Sequence, residues 1–256
     1  MRRILVIGIG PGSPDYMTVQ AIAALKRVDV FFIPDKGEEK ARLRHVREAI
    51  CQRFIPDRAS RIAEVRIPAR AAAPADYRAT VAGWHTAVAE AYGAAFARDL
   101  PEGACGGLLV WGDPAFYDST LRILDHLRAQ DDGFDYEVIP GISSLQVLAA
   151  RHRIALNRIG EPVLVTTGRK LAAGFPADAD SVVVMLDGED TYRRIPPDGL
   201  FIHWGAYLGM DEEILMSGPL AEVAGAIAEV RAEARARHGW IMDIYLLRRM
   251  APAAAP

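Results

Sequence analysis

Residues 8–18 read GIGPGSPDYMT and close the apolar run RILVIGIG that begins at Arg3. A strand ending in such a turn opens many dinucleotide-binding folds, so the first question is whether this turn cradles phosphate. The dinucleotide fingerprint GxGxxG needs backbone N–H groups aimed at a pyrophosphate from a helix N-terminus. Gly8 and Gly10 fit that pattern, but Ser13 stands at the third position, and Pro11 and Pro14 remove two donors from the loop. The ribose-binding carboxylate of that fold falls about 20 residues further on. Asp29 is near that distance but starts a strand, and Asp35 is late. No GKS or GKT follows, which excludes the nucleoside-triphosphate loop. The turn is rigid and poor in donors, at the C-terminal end of a first strand, where open α/β sheets bind ligands. It suits a ligand without phosphates.

The rest of the chain agrees with an α/β protein. Nine apolar runs read as strands: RILVIGIG, VDVFFIP, IAEVRIP, GLLVWG, DYEVIPG, PVLVTTG, SVVVML, LFIHWG and WIMDIYLLR. They alternate with longer amphipathic stretches, which predicts a largely parallel arrangement. Tyr77, Val81, Trp84, Val88, Tyr92 and Phe96 share one helical face, as do Leu220, Val223, Ile227, Val230 and Ala234. Both stripes read as core packing. With 256 residues, 51% of them apolar, the chain has material for two domains. A strand end at Trp111–Gly112, followed by a helix from about Ser119 (a natural N-cap), places the division at 1–116 and 117–250. The tail APAAAP, 251–256, is expected to be disordered.

Composition narrows the partners. A net charge of −3 offers no basic field for nucleic acid. Gly10, Pro11, Gly12 and Pro14 interrupt the first apolar run far short of a membrane span, and no small-residue cleavage site follows it. Cys51 and Cys105 are too few for a disulfide framework and fit a reducing, cytoplasmic setting. Neither they nor the six histidines show metal-ligand spacing, so no metal is expected.

Two further segments repeat the pattern of a strand, a tight turn and a helix. In WGDPAFYDST, residues 111–120, Gly112 and Pro114 shape a turn that Asp113 caps, and Phe116 and Tyr117 present aromatic surface. In PGISSLQVLAAR, residues 140–151, Pro140 and Gly141 end a strand, and Ser143 or Ser144 starts a helix. Singly, each reads as ordinary turn and cap chemistry. Together, in this order, the three blocks resemble the tetrapyrrole (corrin/porphyrin) methyltransferases. That family opens with roughly GxGPGxxxxLTxxA, here with Met17 in place of Leu, and carries GDPxxY and PGISS or PGITA further on.

The resemblance extends from Ile4 to about Leu247. It implies two α/β domains with the active site in the cleft between them, a homodimer, S-adenosylmethionine as methyl donor (leaving as S-adenosylhomocysteine) and a tetrapyrrole acceptor. The cofactor contacts it implies are Pro11, Trp111, Gly112, Asp113, Phe116, Ser143 and Ser144. Met185 in VVVMLDG, and Gly205 and Ala206 in HWGAYLGMDEEILMSGPL, complete that set. The segments DKGEEKARLRHVREAICQRFI, DST after GDPAFY and NRIGEPVLVTTGRKL are similar to one branch of the family. Its members methylate C1 of precorrin-5 and expel the C20 acetyl group as acetate.

Methyl transfer from a sulfonium needs alignment and exclusion of water rather than a protein nucleophile. Loss of acetate wants a base or a held water, for which Asp118 and Tyr117 are the candidates; a helix cap and simple packing are their structural alternatives. A polycarboxylate acceptor wants arginine partners, and Arg42, Arg44, Arg47 and Arg122 are the choices. On a helix, such charges also form ordinary solvated faces. Competing expectations are methylation at another ring carbon, of an elongation-factor histidine derivative or of ribosomal RNA ribose, and, from a different class, a dinucleotide-dependent oxidoreductase.

Overall fold

The computed structural model describes residues 1–35, 41–56, 61–68, 77–130 and 133–250, with the side chains at 41–43 and 77–82 outside the described set. The expected tail at 251–256 lies outside it as well. The chain divides into two compact units, Met1–Ser143 and Ser144 onward.

The first unit runs β1 (Arg2–Gly8), α1 (Val19–Leu25), β2 (Val30–Asp35), α2 (Ala41–Phe54), β3 (Arg61–Arg66), α3 (Tyr77–Asp99), β4 (Cys105–Val110), α4 (Thr120–Arg128) and β5 (Phe134–Ile139). Its five strands are parallel, in the order β3-β2-β4-β1-β5. β1 is the central support. Ile4, Leu5, Val6 and Ile7 are all fully buried, as a strand covered on both faces requires. Each contributes roughly 1.5–3 kcal/mol by leaving water. Ile4 and Val6 join the cluster under α3 and α4, which holds Val88, Tyr92, Phe96, Ile123 and Leu124. Leu5 and Ile7 join the opposite cluster, with Ala21 and Leu25 of α1 and Ile50 of α2. The chain thus leaves β1 over one face toward β2 and leaves β4 over the other toward β5. The ends of β1 and β4 are therefore the topological switch point of this sheet, the place where open α/β sheets form a crevice.

The expected division at residue 116 moves, because α4 and β5 belong to the first unit. β5 pairs with β1 in register from Arg2↔Phe134 to Ile7↔Ile139, and that ladder holds the chain to the first sheet until Ser143.

The second unit runs α5 (Ser144–His152), β6 (Val163–Thr167), α6 (Gly168–Leu171), β7 (Ser181–Met185), β8 (Leu200–Ala206), β9 (Ile214–Pro219), α7 (Leu220–His238) and β10 (Asp243–Arg249). Its sheet order is β6-β7-β10-β8-β9. Only β6 and β7 pair in parallel; β10 runs antiparallel to β7 and β8, and β9 antiparallel to β8. The expectation of largely parallel strands therefore holds for the first unit and not for the second. The hairpin strand β9, ILMSGP, is absent from the nine expected strands because its Gly and Pro read as a loop. α7 covers one face with Leu220, Ile227 and Ala234, while Val223 and Val230 of the expected stripe are half-buried and Arg231 is turned inward.

β8 also carries an acid-sensitive group. Burial, with His152 and Arg248 nearby, lowers the His203 imidazole to about 4, and its Nδ1 is buried without a partner. The folded chain keeps His203 neutral where the unfolded chain protonates it near pH 6.5. Between those values the unfolded state binds more protons, so stability falls as pH drops from about 6.5 to about 4 and levels off below. The full effect is on the order of 3 kcal/mol. Urea titrations across that range are expected to show the fall in wild type and a flatter profile in His203→Gln; identical profiles would refute it.

Candidate functional site

In the first unit the three glycine-bearing turns meet through their backbones. The Ile9 N–H donates to the Val110 carbonyl (2.9 Å), and Gly10 and Gly112 exchange two hydrogen bonds (3.2 and 2.9 Å) as an isolated antiparallel bridge. Gly10 and Gly112 both have positive φ, +77° and +67°, a conformation in which a side chain is strained. Gly141, just past β5, lies against Gly8 so closely that a Cβ on it would stand 2.2 Å from the Gly112 oxygen. Asp113 locks the junction: Oδ1 accepts from Ala115 N–H (2.8 Å) and Oδ2 from Gly141 N–H (2.8 Å). The capping role expected of Asp113 is therefore present and reaches to the third turn.

The first turn spends its hydroxyls on itself. Ser13 Oγ accepts from Asp15 N–H (3.1 Å), and Thr18 Oγ1 accepts from Ala21 N–H (3.0 Å), capping α1. Met17 packs into the core beside α1. Pro11 and Gly12 are buried next to the bridge. A ligand at this corner meets apolar atoms, backbone carbonyls and few donors, which suits a nucleoside with a sulfonium and not a pyrophosphate. Trp111 is half-buried there; Phe116 and Tyr117 are exposed at 38% and 44%, unusual for aromatics and suited to ligand contact. Ser143 is buried, with its Cα 3.9 Å from where a Gly112 Cβ would stand. The structure thus gathers Pro11, Trp111, Gly112, Asp113, Phe116 and Ser143 around one corner.

The remaining cofactor candidates lie in the second unit, where Ser144 starts α5. Met185 and Gly205 both pair with Ile244 of β10, so they occupy one row across the sheet. A Cβ on Gly205 would come within 3.0 Å of Leu148 of α5. Ala206 points the other way, fully buried in the core under α7. What holds the loop after Met185 is a set of buried charges invisible in the sequence. Asp187 accepts from Glu189 N–H, Thr191 N–H, Thr191 Oγ1 and the Tyr245 hydroxyl at 2.6–3.1 Å. Arg231 Nη2 donates to the Asp187 carbonyl (2.8 Å), while Nε meets Asp243 (2.9 Å) and Asp190 (3.1 Å). Trp204 Nε1 donates to the same Asp243 (3.0 Å). Burial pushes the Asp243 carboxyl up, and Arg231 pulls it back.

Of the candidates for acid–base and substrate roles, Asp118 and Arg47 line one cavity beside the end of β4. Asp118 Oδ1 accepts from Thr120 N–H (2.7 Å) and so caps α4, whereas Ser119 makes no side-chain capping bond. Ser119 holds the expected N-cap position, but with near-helical backbone angles (φ −102°, ψ −5°) it leaves the side-chain bond to Asp118. Tyr117 holds φ +52°, and partial burial raises its phenol, which suits a proton donor better than a base. Arg44 is paired with Glu48 (2.8 Å) and Glu64 (2.5 Å). Arg122 lies along α4 with Nη1 3.4 Å from the Asp118 carbonyl. Arg47 is buried, donating from Nε to the Leu109 carbonyl (3.0 Å), and Arg42 falls outside the described side chains. Arg44, Arg47 and Arg122, the three whose side chains are described, each have separate partners. Among the described residues no helix is long and apolar enough to cross a membrane.

The family model for tetrapyrrole (corrin/porphyrin) methylases matches residues 3–224. Over 250 residues, 97% of this chain and 96% of the relative, the sequence is 50% identical to a precorrin-6A synthase (deacetylating) of Sinorhizobium sp. It is 28% identical, over 73% of this chain and 74% of the relative, to a precorrin-2 C(20)-methyltransferase of Sinorhizobium sp. A cobalamin synthesis related protein (CobF) from Corynebacterium diphtheriae superposes with TM-score 0.85 at 38% identity, covering 98% of this chain and 100% of that one. A uroporphyrin-III C-methyl transferase from Thermus thermophilus, complexed with S-adenosyl homocysteine, shares the fold at TM-score 0.61 and 17% identity, over 96% and 92% of the chains.

Proposed function

The chain belongs to the tetrapyrrole (corrin/porphyrin) methylases, and from that membership we propose that it methylates C1 of precorrin-5 and releases the C20 acetyl group as acetate, giving precorrin-6A. The observation that carries this reading is the 50% identity to a precorrin-6A synthase (deacetylating) across 97% of the chain. S-adenosylmethionine supplies the activated methyl group. The protein's own part is placement. Pro11, Gly112, Asp113 and Ser143 in the first unit, with Ser144, Met185 and Gly205 in the second, are the proposed cofactor contacts. Rigid turns fix a sulfonium carbon in line with a nucleophilic ring carbon, and an apolar surround keeps water from it.

The enzyme works as a homodimer in the cytoplasm. The cysteines support that setting: burial pushes the Cys51 thiol up to about 11 and also raises Cys105, so neither is a ready thiolate.

The test supplies purified protein with precorrin-5 and S-adenosylmethionine carrying a labelled methyl group. The expected result is S-adenosylhomocysteine and acetate in equal amounts, with label at C1 by NMR. Label at another ring carbon, or no acetate, would overturn the proposal. Calorimetric binding of NADH in place of S-adenosylhomocysteine would favour the oxidoreductase alternative.

A further inference from the structure

The loop that follows β7 in the second unit holds a leucine where a leucine is doubly disfavoured. Leu186 has φ +55°, in the left-handed region that a Cβ makes uphill, and it is 66% exposed. A glycine there would remove both penalties. The fold nevertheless fixes the leucine from the next residue on. The buried Asp187 carboxylate accepts from Glu189 N–H, from Thr191 and from the Tyr245 hydroxyl, and the Asp187 carbonyl accepts from Arg231. Gly168 stands so near that a Cβ on it would lie 2.4 Å from Asp187 Oδ1. Asp187 therefore has no room to move, and Leu186 cannot relax through it. Strain of this kind persists only where the surroundings over-determine it, and it gathers at ligand sites.

We propose that Leu186 is a substrate contact: its side chain lies against the ring face of the bound tetrapyrrole and sets the position of the macrocycle. The proposal rests on the function given above and names a residue that receives that function's acceptor. The charges around the loop favour the macrocycle over the methyl donor. Met185, the preceding residue, pairs with Thr167 of β6, and the chain continues from there through Gly168 to Arg169 and Lys170, both exposed. Arg193, also exposed, follows the loop. The loop's own carboxylates are committed: Glu189 to Arg194 (2.7 Å), Asp190 to Arg231 (3.1 Å) and Asp187 to its buried donors. An apolar projection among cations matches a large apolar ring edged by carboxylates. A sulfonium is itself a cation and gains nothing beside them. Covering Leu186 takes its apolar surface out of water, which offsets the strained backbone in the bound state alone.

Substitution separates this role from a structural one, because Leu186→Gly and Leu186→Asn both suit left-handed backbone. Both variants are expected to unfold in urea no earlier than wild type, with the midpoint of Leu186→Gly later by roughly 0.3 M. In each, affinity for uroporphyrin, a stable tetrapyrrole polycarboxylate, is expected to fall about 10-fold or more by fluorescence titration, and kcat/KM for precorrin-5 with it. Affinity for S-adenosylhomocysteine is expected to stay within about twofold of wild type by calorimetry. Uroporphyrin affinity unchanged in both variants, an equal loss of S-adenosylhomocysteine affinity, or a midpoint below that of wild type would overturn the contact. Wild-type protein that binds no uroporphyrin would overturn it as well. Wild-type protein that leaves precorrin-5 unmethylated, while uroporphyrin affinity still falls in the variants, would refute the assigned reaction and uphold Leu186 as a tetrapyrrole contact.

Discussion

Gly141→Ala is expected to disable the proposed cofactor corner and to destabilise the first unit together. The added Cβ stands 2.2 Å from the Gly112 oxygen and 2.8 Å from both Gly8 Cα and Gly8 C. All three are backbone atoms, so no side-chain rotation relieves the overlap. The third turn must move away from the other two, breaking the hydrogen bond from Gly141 N–H to Asp113 and opening the space beside the Gly10–Gly112 bridge. Overpacking alone costs about 1–3 kcal/mol, and a lost hydrogen bond to a charged acceptor about 1.5–3 more. The predicted loss is about 3 kcal/mol or more by urea unfolding, with S-adenosylhomocysteine affinity down at least about 100-fold by calorimetry. A variant of unchanged stability and affinity would show that the three turns are not the rigid unit described.

Arg231→Met is expected to be the most damaging change in the second unit. The arginine side chain is 7% exposed and Asp243 6%, and they meet at 2.9 Å, with Asp190 at 3.1 Å on the same nitrogen. Methionine fills much of the volume but takes the counter-charge from the buried Asp243 carboxylate, which keeps the Trp204 Nε1 donor at 3.0 Å. Breaking one side of a buried pair costs about 3–5 kcal/mol, because the other charge stays behind without compensation. The pH dependence has a definite sign. Burial already pushes the Asp243 carboxyl up, and without Arg231 it rises further above its unfolded value. The folded variant then binds the extra proton, so the deficit relative to wild type narrows as pH falls through that raised value and is largest above it. Arg231→Met with Asp243→Asn should regain most of the loss, since no unpaired charge remains. A deficit unchanged by the second substitution would point to packing as the cause. Arg231 also holds the Asp187 carbonyl, so the single variant should loosen the loop after Met185 and weaken S-adenosylhomocysteine binding.

The strands are readable because their signal is local. Buried parallel strands are short apolar runs between turns, and β1, β4 and β7 fall where the runs stand. β9 escapes that reading, since its alternate half-exposed residues, Gly218 and Pro219 carry no continuous apolar signal. The three turns are also readable, as glycine and proline at fixed places after strands. Their mutual contact is not. That Asp113 bonds to Gly141 depends on β5 returning beside β1, a pairing across more than a hundred positions of chain.

The sequence by itself determined an α/β chain, the three turns and the family, since each of these rests on short-range pattern and on order along the chain. Only the tertiary structure decided the division after Ser143, the antiparallel strands of the second unit, and the separation of the arginines into a buried Arg47 and an acid-paired Arg44. It alone brought Asp187, Asp190, Arg231 and Asp243 together, from positions that look like solvated surface in the sequence. The reason is physical: a charge is stable inside a protein only when distant partners converge on it, and that convergence is a property of the folded chain.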